Sequence, residues 1–234
     1  MTGTQAAARP HGRVGRATFA LAALLGLGLI WAQVSGGWAA ATRLLEQVRG
    51  PDPGPLLVNA EHPLPEGFAT PELVPLVDKV PVAHNGVAVA EQVEKPLLAL
   101  FAAARKAGLK NLYVISGYRS AQEQQELWDA STDRSYVQPA GHSEHQTGLA
   151  VDLGDLKVGN KGFAASKAGR WLAKNAWKLG FILRYPAGKE EITGISYEPW
   201  HFRYVGKEVA KACHDQGLTL EEYVAGRQHT AGSG

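Results

Sequence analysis

The stretch of sequence that decides the fold runs from residue 143 to residue 153 and reads SEHQTGLAVDL. Its apolar second half predicts a short buried β-strand over residues 148–153. Gly148 allows a sharp turn between the polar half and the strand. Such a turn would bring the side chains of His145 and Asp152 to one point, where they could bind a single metal ion.

A second stretch, YEPWHFRY at residues 197–204, predicts a strand with two unlike faces. Successive side chains of a strand point to opposite sides. The face expected to join the core carries Trp200, Phe202 and Tyr204. The other face carries His201 and Arg203, so we expect His201 to point into a cleft. Glu198 would lie on the wrong face of a straight strand, but Pro199 favours a bend or bulge that brings it round to His201.

His145, Asp152 and His201 are together a ligand set suited to zinc. Three protein ligands leave one coordination position open for water, which is typical of catalytic rather than structural zinc sites. Zinc lowers the pKa of such a water toward about 7. A hydrolytic site also needs a proton acceptor, and Glu198 is the best candidate. The pattern therefore predicts one Zn²⁺ ion with Glu198 as its catalytic base.

A third stretch, SGYRS at residues 116–120, joins a predicted strand at 112–115 to a helix that Ser120 and Glu123 open as a capping box. A cation at this junction, Arg119, is well placed to bind a substrate carboxylate or a developing oxyanion. Ser143, two residues before His145, would add a hydroxyl donor to the same group.

Charge is unevenly distributed along the 234 residues, which carry 24 basic and 22 acidic side chains. Arg9, Arg13 and Arg16 supply the positive excess, and residues 17–41 follow without a charge. This pattern predicts a cytoplasmic basic segment at residues 1–16 and a signal anchor or cleaved signal peptide at 17–41. The length of the run favours an anchor, and the alanines at its end favour cleavage. The chain would then be a single-pass membrane protein with an extracytoplasmic domain, or exported after cleavage.

The remaining chain has 21 basic against 22 acidic residues, a net charge of −1. This balance argues against nucleic acid as a partner. Cys213 is the single cysteine, which excludes an intrachain disulfide. We expect it to be buried and inert.

Residues 56–226 are expected to form the folded domain, after a spacer at 42–55 and before a disordered tail at 227–234. Eight prolines fall in residues 51–81, and apolar residues between them indicate an arm packed on the domain beyond Pro55. Predicted helices at about 165–179, 206–216 and 219–225 are interleaved with the strands, of which 181–185 and 195–205 form an antiparallel pair. A further helix is predicted by the spacing of Val93, Leu97, Leu100, Phe101 and Ala104. The fold class is α+β, an antiparallel sheet with flanking helices.

The three stretches together resemble the VanY-type D-alanyl-D-alanine carboxypeptidases, zinc peptidases related in fold to hedgehog and lysostaphin-like enzymes. The resemblance runs from about residue 57 to 205 and includes FILRYP at 181–186. It implies that His145, Asp152 and His201 are the zinc ligands and that Glu198 is the catalytic base. No position of the metal or base motif departs from the family pattern.

The resemblance also implies a substrate side to the site. Arg119 and Ser143 match positions that handle the terminal carboxylate of the substrate or the oxyanion, so Arg119 is expected to bind substrate and to assist catalysis. Tyr118 and Gln146 are expected to line the substrate groove or to support it.

The implied activity is hydrolysis of the terminal D-Ala-D-Ala bond of peptidoglycan stem peptides or their precursors. An exported, membrane-tethered domain would meet that substrate in the cell wall. Two alternatives stay open on the sequence alone: an L,D-carboxypeptidase that trims tetrapeptide stems, and a zinc-containing wall-binding module without activity. The presence of Glu198 disfavours the second, because a structural zinc site needs no base.

Overall fold

The structure is a computed structural model that describes residues 55–158 and 160–231. The predicted basic segment, the anchor or signal peptide and all but the last residue of the spacer lie outside the described residues. Among the residues that are described, no helix combines the length and the apolar character needed to cross a membrane.

The proline-containing arm is packed on the domain, as expected from its apolar residues, and Val58 and Leu76 are fully buried. The arm also contains regular structure that the sequence pattern did not predict. Strand β1 (Leu73–Pro75) pairs antiparallel with strand β2 (Ala88–Ala90). The chain passes directly from β2 into the first helix, α1 (Glu91–Lys106).

Four strands form the sheet that carries the site. They are β3 (Leu112–Ser116), β4 (Ala150–Asp155), β5 (Phe181–Leu183) and β6 (His201–Tyr204). All neighbours are antiparallel, in the spatial order β3-β4-β6-β5. The predicted antiparallel sheet is therefore confirmed.

The register between β4 and β6 sets the two faces of the sheet. Asp152 lies opposite His201, and Val151 lies opposite Phe202. Because directly opposite residues project from the same side, the first pair shares one face and the second pair the other. Val151 and Phe202 are fully buried in the main core, and the polar pair is on the side of the cleft.

Helices flank the sheet. After α1 they are α2 (Ala121–Ala130), α3 (Asn160–Phe163), α4 (Lys167–Asn175), α5 (Glu190–Thr193), α6 (Lys207–Gln216) and α7 (Leu220–Ala231). The apolar face predicted for α1 is the one it buries. The capping box at the start of α2 is present: the Ser120 hydroxyl accepts from the Glu123 N–H, and the Glu123 carboxylate accepts from the Ser120 N–H.

Several predicted boundaries differ from the observed ones. The strand predicted at 148–153 is Ala150–Asp155, and the one predicted at 181–185 is Phe181–Leu183. The helix predicted at 165–179 ends as a 3₁₀ turn over Ala176–Leu179. The strand predicted at 195–205 is confined to β6, because residues 198–201 form a tight turn. Helix α7 continues to Ala231, so residues 227–231 of the predicted disordered tail are helical.

Two apolar clusters hold these elements together. The main one lies between the sheet and α1 and includes Leu97, Leu100, Leu153 and Phe202. The smaller one joins α6 and α7 to β5 and contains Ile182, Ala210, Cys213 and Leu220. Burial raises the pKa of the Cys213 thiol to about 11, so this cysteine is buried and inert as expected.

Candidate active site

The structure brings His145, Asp152 and His201 together. Their ligand atoms all lie within 4.8 Å of one another. His145 Nε2 is 3.3 Å from Asp152 Oδ2, and His201 Nδ1 is 3.1 Å from Asp152 Oδ1. Ligand atoms about 2 Å from a tetrahedral zinc ion lie about 3.3 Å apart, so the two imidazole–carboxylate spacings are close to those of such an ion.

The main chain orients His145 by two local features. The residue sits in a 3₁₀ turn, Glu144–Thr147, which ends at Gly148 in the left-handed conformation with φ +66°. A Cβ at Gly148 would lie 2.8 Å from the Ala90 nitrogen, so only glycine fits this turn. The His145 ring donates from Nδ1 to the Gly117 carbonyl at 2.6 Å, because a carbonyl can only accept. Nε2 is therefore the unprotonated nitrogen, and it faces Asp152.

Asp152 behaves as an ionised ligand. Although burial opposes its charge, the adjacent His145 and His201 hold its pKa well below the usual range. Within the described part of the chain, its buried Oδ1 has no aligned hydrogen-bond donor, even though His201 Nδ1 is close. A buried carboxylate oxygen without a donor, between two imidazole nitrogens, is the arrangement expected of a site for a divalent cation.

His201 lies among three carboxylates. On the cleft side, its Nδ1 faces Asp152 and also lies 3.5 Å from Glu198 Oε2. On the core side, its Nε2 is 3.6 Å from Glu144 Oε2. Burial by itself lowers the pKa of His201, but the surrounding carboxylates raise it to about 9. A metal cation bound at Nδ1 would displace the proton that this nitrogen otherwise takes up.

Glu198 reaches the ligands through the bend that Pro199 was expected to make. The His201 N–H donates to the Glu198 carbonyl at 3.2 Å, which closes a turn just before β6. Glu198 is 5% exposed. Burial raises the pKa of its carboxyl to about 8, and the charge of Asp152 acts in the same direction.

Arg119 lines the same cavity as the three metal-ligand candidates and Glu198. Its guanidinium donates to Gln124 Oε1 at 2.6 Å and to Ser116 Oγ at 3.1 Å. The turn before it depends on Gly117, where a Cβ would lie 2.1 Å from the Ala88 carbonyl oxygen. Burial lowers the pKa of Arg119, but an arginine remains charged at any physiological pH.

The remaining substrate-side residues divide into two groups. Ser143 is buried and lines the cavity. Tyr118 and Gln146 are not among the lining residues. The Tyr118 hydroxyl is 3.3 Å from Thr70 Oγ1, and Gln146 Oε1 accepts from the Gly141 N–H at 2.5 Å. Whether these two residues line the groove or support it stays a prediction.

Sequence reasoning missed a second layer of residues beneath the ligands. Glu144 and Arg184 have fully buried side chains, and Arg203 is 1% exposed. Glu144 Oε1 accepts from Arg184 Nε at 2.7 Å and lies 2.7 Å from Arg203 Nη1. The ring of Tyr185 packs against that of His201, with 4.9 Å between the two ring centroids. One signal was available in the sequence: Arg203 shares a strand face with His201, and Glu144 precedes His145.

Comparison with known proteins places this geometry in a family. The family model described as VanY, D-alanyl-D-alanine carboxypeptidase, matches residues 86–207. Putative carboxypeptidase YodJ from Bacillus subtilis (strain 168) is 37% identical over 195 residues, which cover 76% of this chain and 70% of the relative.

Two solved structures are also similar. The LdcB LD-carboxypeptidase is 39% identical, with a TM-score of 0.65, and the match covers 71% of this chain and 83% of that one. A mutant of the vancomycin resistance D,D-pentapeptidase VanY, in complex with Zn(II), is 37% identical, with a TM-score of 0.62. That match covers 74% of this chain and 99% of the other. The family model alone spans more than half of the sequence and contains His145, Asp152 and His201. These findings confirm the resemblance, and the chain belongs to the VanY family of D-alanyl-D-alanine carboxypeptidases.

Proposed function

We propose that this chain is a zinc-dependent D,D-carboxypeptidase that removes the terminal D-alanine from peptidoglycan stem peptides. One observation carries the proposal: a single cavity is lined by Arg119 and Glu198 together with His145, Asp152 and His201. A cation for a free carboxylate, a buried carboxyl and a metal-ligand cluster are the parts that a metallocarboxypeptidase needs.

Zinc is the proposed ion because the ligand set is two imidazoles and one carboxylate, whose ligand atoms lie within 4.8 Å of one another. The similar VanY structure contains Zn(II), which supports the same choice. When bound, zinc supplies a Lewis acid that activates a water molecule and polarises the scissile carbonyl.

Arg119 is proposed to bind the terminal carboxylate of the peptide. Gln124 and Ser116 hold its guanidinium in place, so little side-chain freedom is lost when substrate binds. A charged group that requires a free carboxy terminus would separate a carboxypeptidase from an endopeptidase. Ser143, on the wall of the same cavity, is proposed to donate its hydroxyl to the carboxylate or the oxyanion.

Glu198 is proposed to move the proton. It would accept a proton from the attacking water and then donate it to the amine of the leaving D-alanine. The raised pKa makes the ionised Glu198 a stronger base than an ordinary carboxylate, and a metal cation at the adjacent ligands would favour the ionised form.

The size of the cavity supports a short substrate end. Its volume of about 220 Å³ is below the roughly 300–1,000 Å³ of cavities that enclose drug-sized ligands. It would admit the end of a stem peptide and leave the rest of the peptide outside.

The purified full-length chain should be incubated with pentapeptide and tetrapeptide stems, and the products weighed by mass spectrometry. We expect loss of one alanine from the pentapeptide and no change in the tetrapeptide. A Glu198→Gln variant is the matched control for contaminating peptidases, and it should leave both peptides intact. Failure to release alanine from either peptide in the presence of zinc would overturn the proposal.

An L,D-carboxypeptidase is the second candidate, because the similar LdcB structure is described as an LD-carboxypeptidase. The two activities use the same metal chemistry and differ in the residue before the cleaved bond. Release of alanine from the tetrapeptide alone would establish this alternative.

We further propose that the domain is exported and held at the membrane by residues 17–41. The support is the sequence pattern of three arginines before a long uncharged run. Fractionation of cells that express the full chain tests this: the protein should sediment with membranes and be digested by protease added to intact, wall-stripped cells. Recovery of a shortened chain in the medium would instead indicate a cleaved signal peptide.

A further inference from the structure

A chain of buried charges runs from His201 away from the cleft. Its first member, Glu144, shares one carboxylate oxygen, Oε1, between Arg184 and Arg203 at 2.7 Å each. Both arginines come from the strand pair that ends at the site: Arg184 follows β5, and its N–H donates to the His201 carbonyl at 3.1 Å. Two buried cations on one oxygen hold this carboxylate in the ionised state.

The other oxygen of Glu144 points at the metal-ligand candidate. Glu144 Oε2 and His201 Nε2 are 3.6 Å apart, and both atoms are buried. Within residues 55–158 and 160–231, neither has a hydrogen-bond partner. Leaving a buried polar atom unpaired is unfavourable, so a small rotation of the ring that closes this gap is favoured.

The identity of the acceptor then decides where the His201 proton sits. An ionised carboxylate only accepts, so Nε2 must carry the hydrogen. In the neutral ring that a metal ion requires, Nδ1 is then the nitrogen without a hydrogen, and it is the one that faces Asp152. Ligating histidines in metal sites commonly donate their second nitrogen to a carboxylate in this way.

The chain of charges continues into segments outside the family match at residues 86–207. Arg184 uses its two remaining nitrogens on Glu221 of helix α7, at 2.9 and 2.6 Å. Asn59 of the arm donates to the same carboxylate at 3.1 Å, and Arg203 donates to the Leu56 carbonyl at 2.8 Å. The arm and the last helix therefore contact the polar layer beneath the site.

We propose that Glu144 is a positioning residue that fixes the tautomer of His201 for the metal, and that Glu221 holds Glu144 in place through Arg184. The inference rests on the proposed metal site. It gives the arm and helix α7 a role in metal affinity in addition to their role in packing. The four charged side chains balance at two positive and two negative, so loss of Glu221 would also leave an extra positive charge near a bound cation.

The main test compares Glu221→Gln with a matched control, Glu222→Gln, on the same helix. Glu222 pairs with Lys189 at the surface and caps Thr219, and glutamine retains an acceptor for the cap. Zn²⁺ affinity of the full-length proteins is measured by competition with a chromophoric chelator. We expect affinity to fall about tenfold in Glu221→Gln, the lower end of the range for outer partners of metal ligands, and to stay unchanged in the control.

Glu144→Gln tests the tautomer directly. Arg184 and Arg203 would take the amide oxygen, which leaves the NH₂ group facing His201 Nε2 and favours the wrong tautomer. We expect Zn²⁺ affinity to fall by about 10–100-fold and the visible absorption of bound Co²⁺, which reports ligand geometry, to change. If this variant does not fold, Glu221→Gln decides the question, since the Glu221 side chain is 13% exposed and its loss is better tolerated.

The outcomes separate the inference from its premise. If the wild-type chain binds neither Zn²⁺ nor Co²⁺, the proposed function fails first. If the wild type binds and both variants bind equally well while melting at lower temperatures, the network is purely structural and the inference is overturned. Weaker binding in Glu144→Gln alone would retain the role of Glu144 and remove that of helix α7.

Discussion

The cleft side and the core side of His201 each present a buried glutamate, and the two behave in opposite ways. Glu198 is 5% exposed and Glu144 is 1% exposed, so burial opposes ionisation of both. At Glu198 burial prevails and raises the pKa to about 8. At Glu144 the adjacent charges of Arg184 and Arg203 outweigh burial, and the pKa lies well below its usual range.

The difference shows that cationic partners, and not depth, decide what a buried carboxyl does. A carboxylate that is tied to two arginines keeps its charge and can only hold a neighbour in place. A carboxyl without a direct arginine partner can gain and lose a proton near neutral pH. Two like groups pushed apart in pKa by their surroundings commonly divide the work of an active site in this way.

The largest expected effect is on turnover, when the glutamate on the cleft side is changed. Glu198→Gln should lower kcat by about 10²–10⁴-fold, the usual contribution of a general acid–base, because glutamine cannot accept the water proton. Alanine release from the pentapeptide stem is the measurement. Zn²⁺ binding should be retained, which distinguishes this variant from His201→Ala, in which both are lost. Turnover within a few-fold of the wild type would remove Glu198 from the mechanism.

On the core side of His201, the expected effect of a substitution is a loss of stability of the fold. Arg184→Met leaves the buried Glu144 and the partly buried Glu221 without their shared partner. We expect a loss of about 3–5 kcal/mol in the free energy of unfolding, measured by urea denaturation of the chelator-treated protein. Because the pair is buried, the loss should be nearly the same at low and at high salt. A loss below 1 kcal/mol would show that Arg184 is not needed to neutralise the carboxylates of Glu144 and Glu221.

The residues on the cleft side of His201 could be predicted from the sequence, but the buried ion pairs on the core side could not. The reason is how far apart the interacting residues lie along the chain. The metal ligands and Glu198 occupy two short stretches whose alternation and turn residues are local signals. The partners of Glu144 are 40 and 59 residues away along the chain, at Arg184 and Arg203, and no local pattern links them. Such pairing depends on the order β3-β4-β6-β5, which the sequence did not reveal.

Prediction of the secondary structure from the sequence was limited in the same way, because local patterns do not show which segments pair. The helical spacing in α1 correctly predicted the face that it buries. The β1–β2 pair was missed because each strand has only three residues and is stabilised by pairing with the other, which lies farther along the chain. The end of α7 was placed too early, since its last residues lack the apolar periodicity that marks a packed helix.

A third, smaller effect is the pH dependence of stability that Glu198, on the cleft side of His201, contributes. The folded-state pKa of Glu198 is about 8, against 4.5 for a free carboxyl, so the folded protein binds more protons than the unfolded chain between these values. Its ionisation therefore lowers stability as pH rises through that window. Glu198→Gln removes this penalty and should stabilise the chelator-treated protein, by little at pH 4.5 and on the order of a few kcal/mol above pH 8.

Melting temperatures of the two proteins across pH 4.5–8.5 check this prediction. The titration of His201 also differs between the two proteins, because Glu198 is one of the carboxylates that raise its pKa. The test is therefore whether the difference in melting temperature grows between pH 4.5 and pH 8.5. A difference that is constant across the range would mean that Glu198 is already ionised at low pH, and the contrast with Glu144 would disappear.

The smallest effect is expected where a glutamate pairs with a cation at the surface. Glu222 accepts from Lys189 at 2.9 Å, next to Glu221 on helix α7, but both side chains are about 30% exposed. Lys189→Met should change the free energy of unfolding by about 0–1 kcal/mol and leave Zn²⁺ affinity unchanged, since water and salt screen this pair. The same urea titration at low and high salt measures it, and any effect should shrink as salt is added. An effect as large as that of Arg184→Met would show that an ion pair contributes equally to the free energy of unfolding whether it is exposed or buried. Burial of the Glu144–Arg184 pair would then no longer explain the large effect expected on the core side of His201.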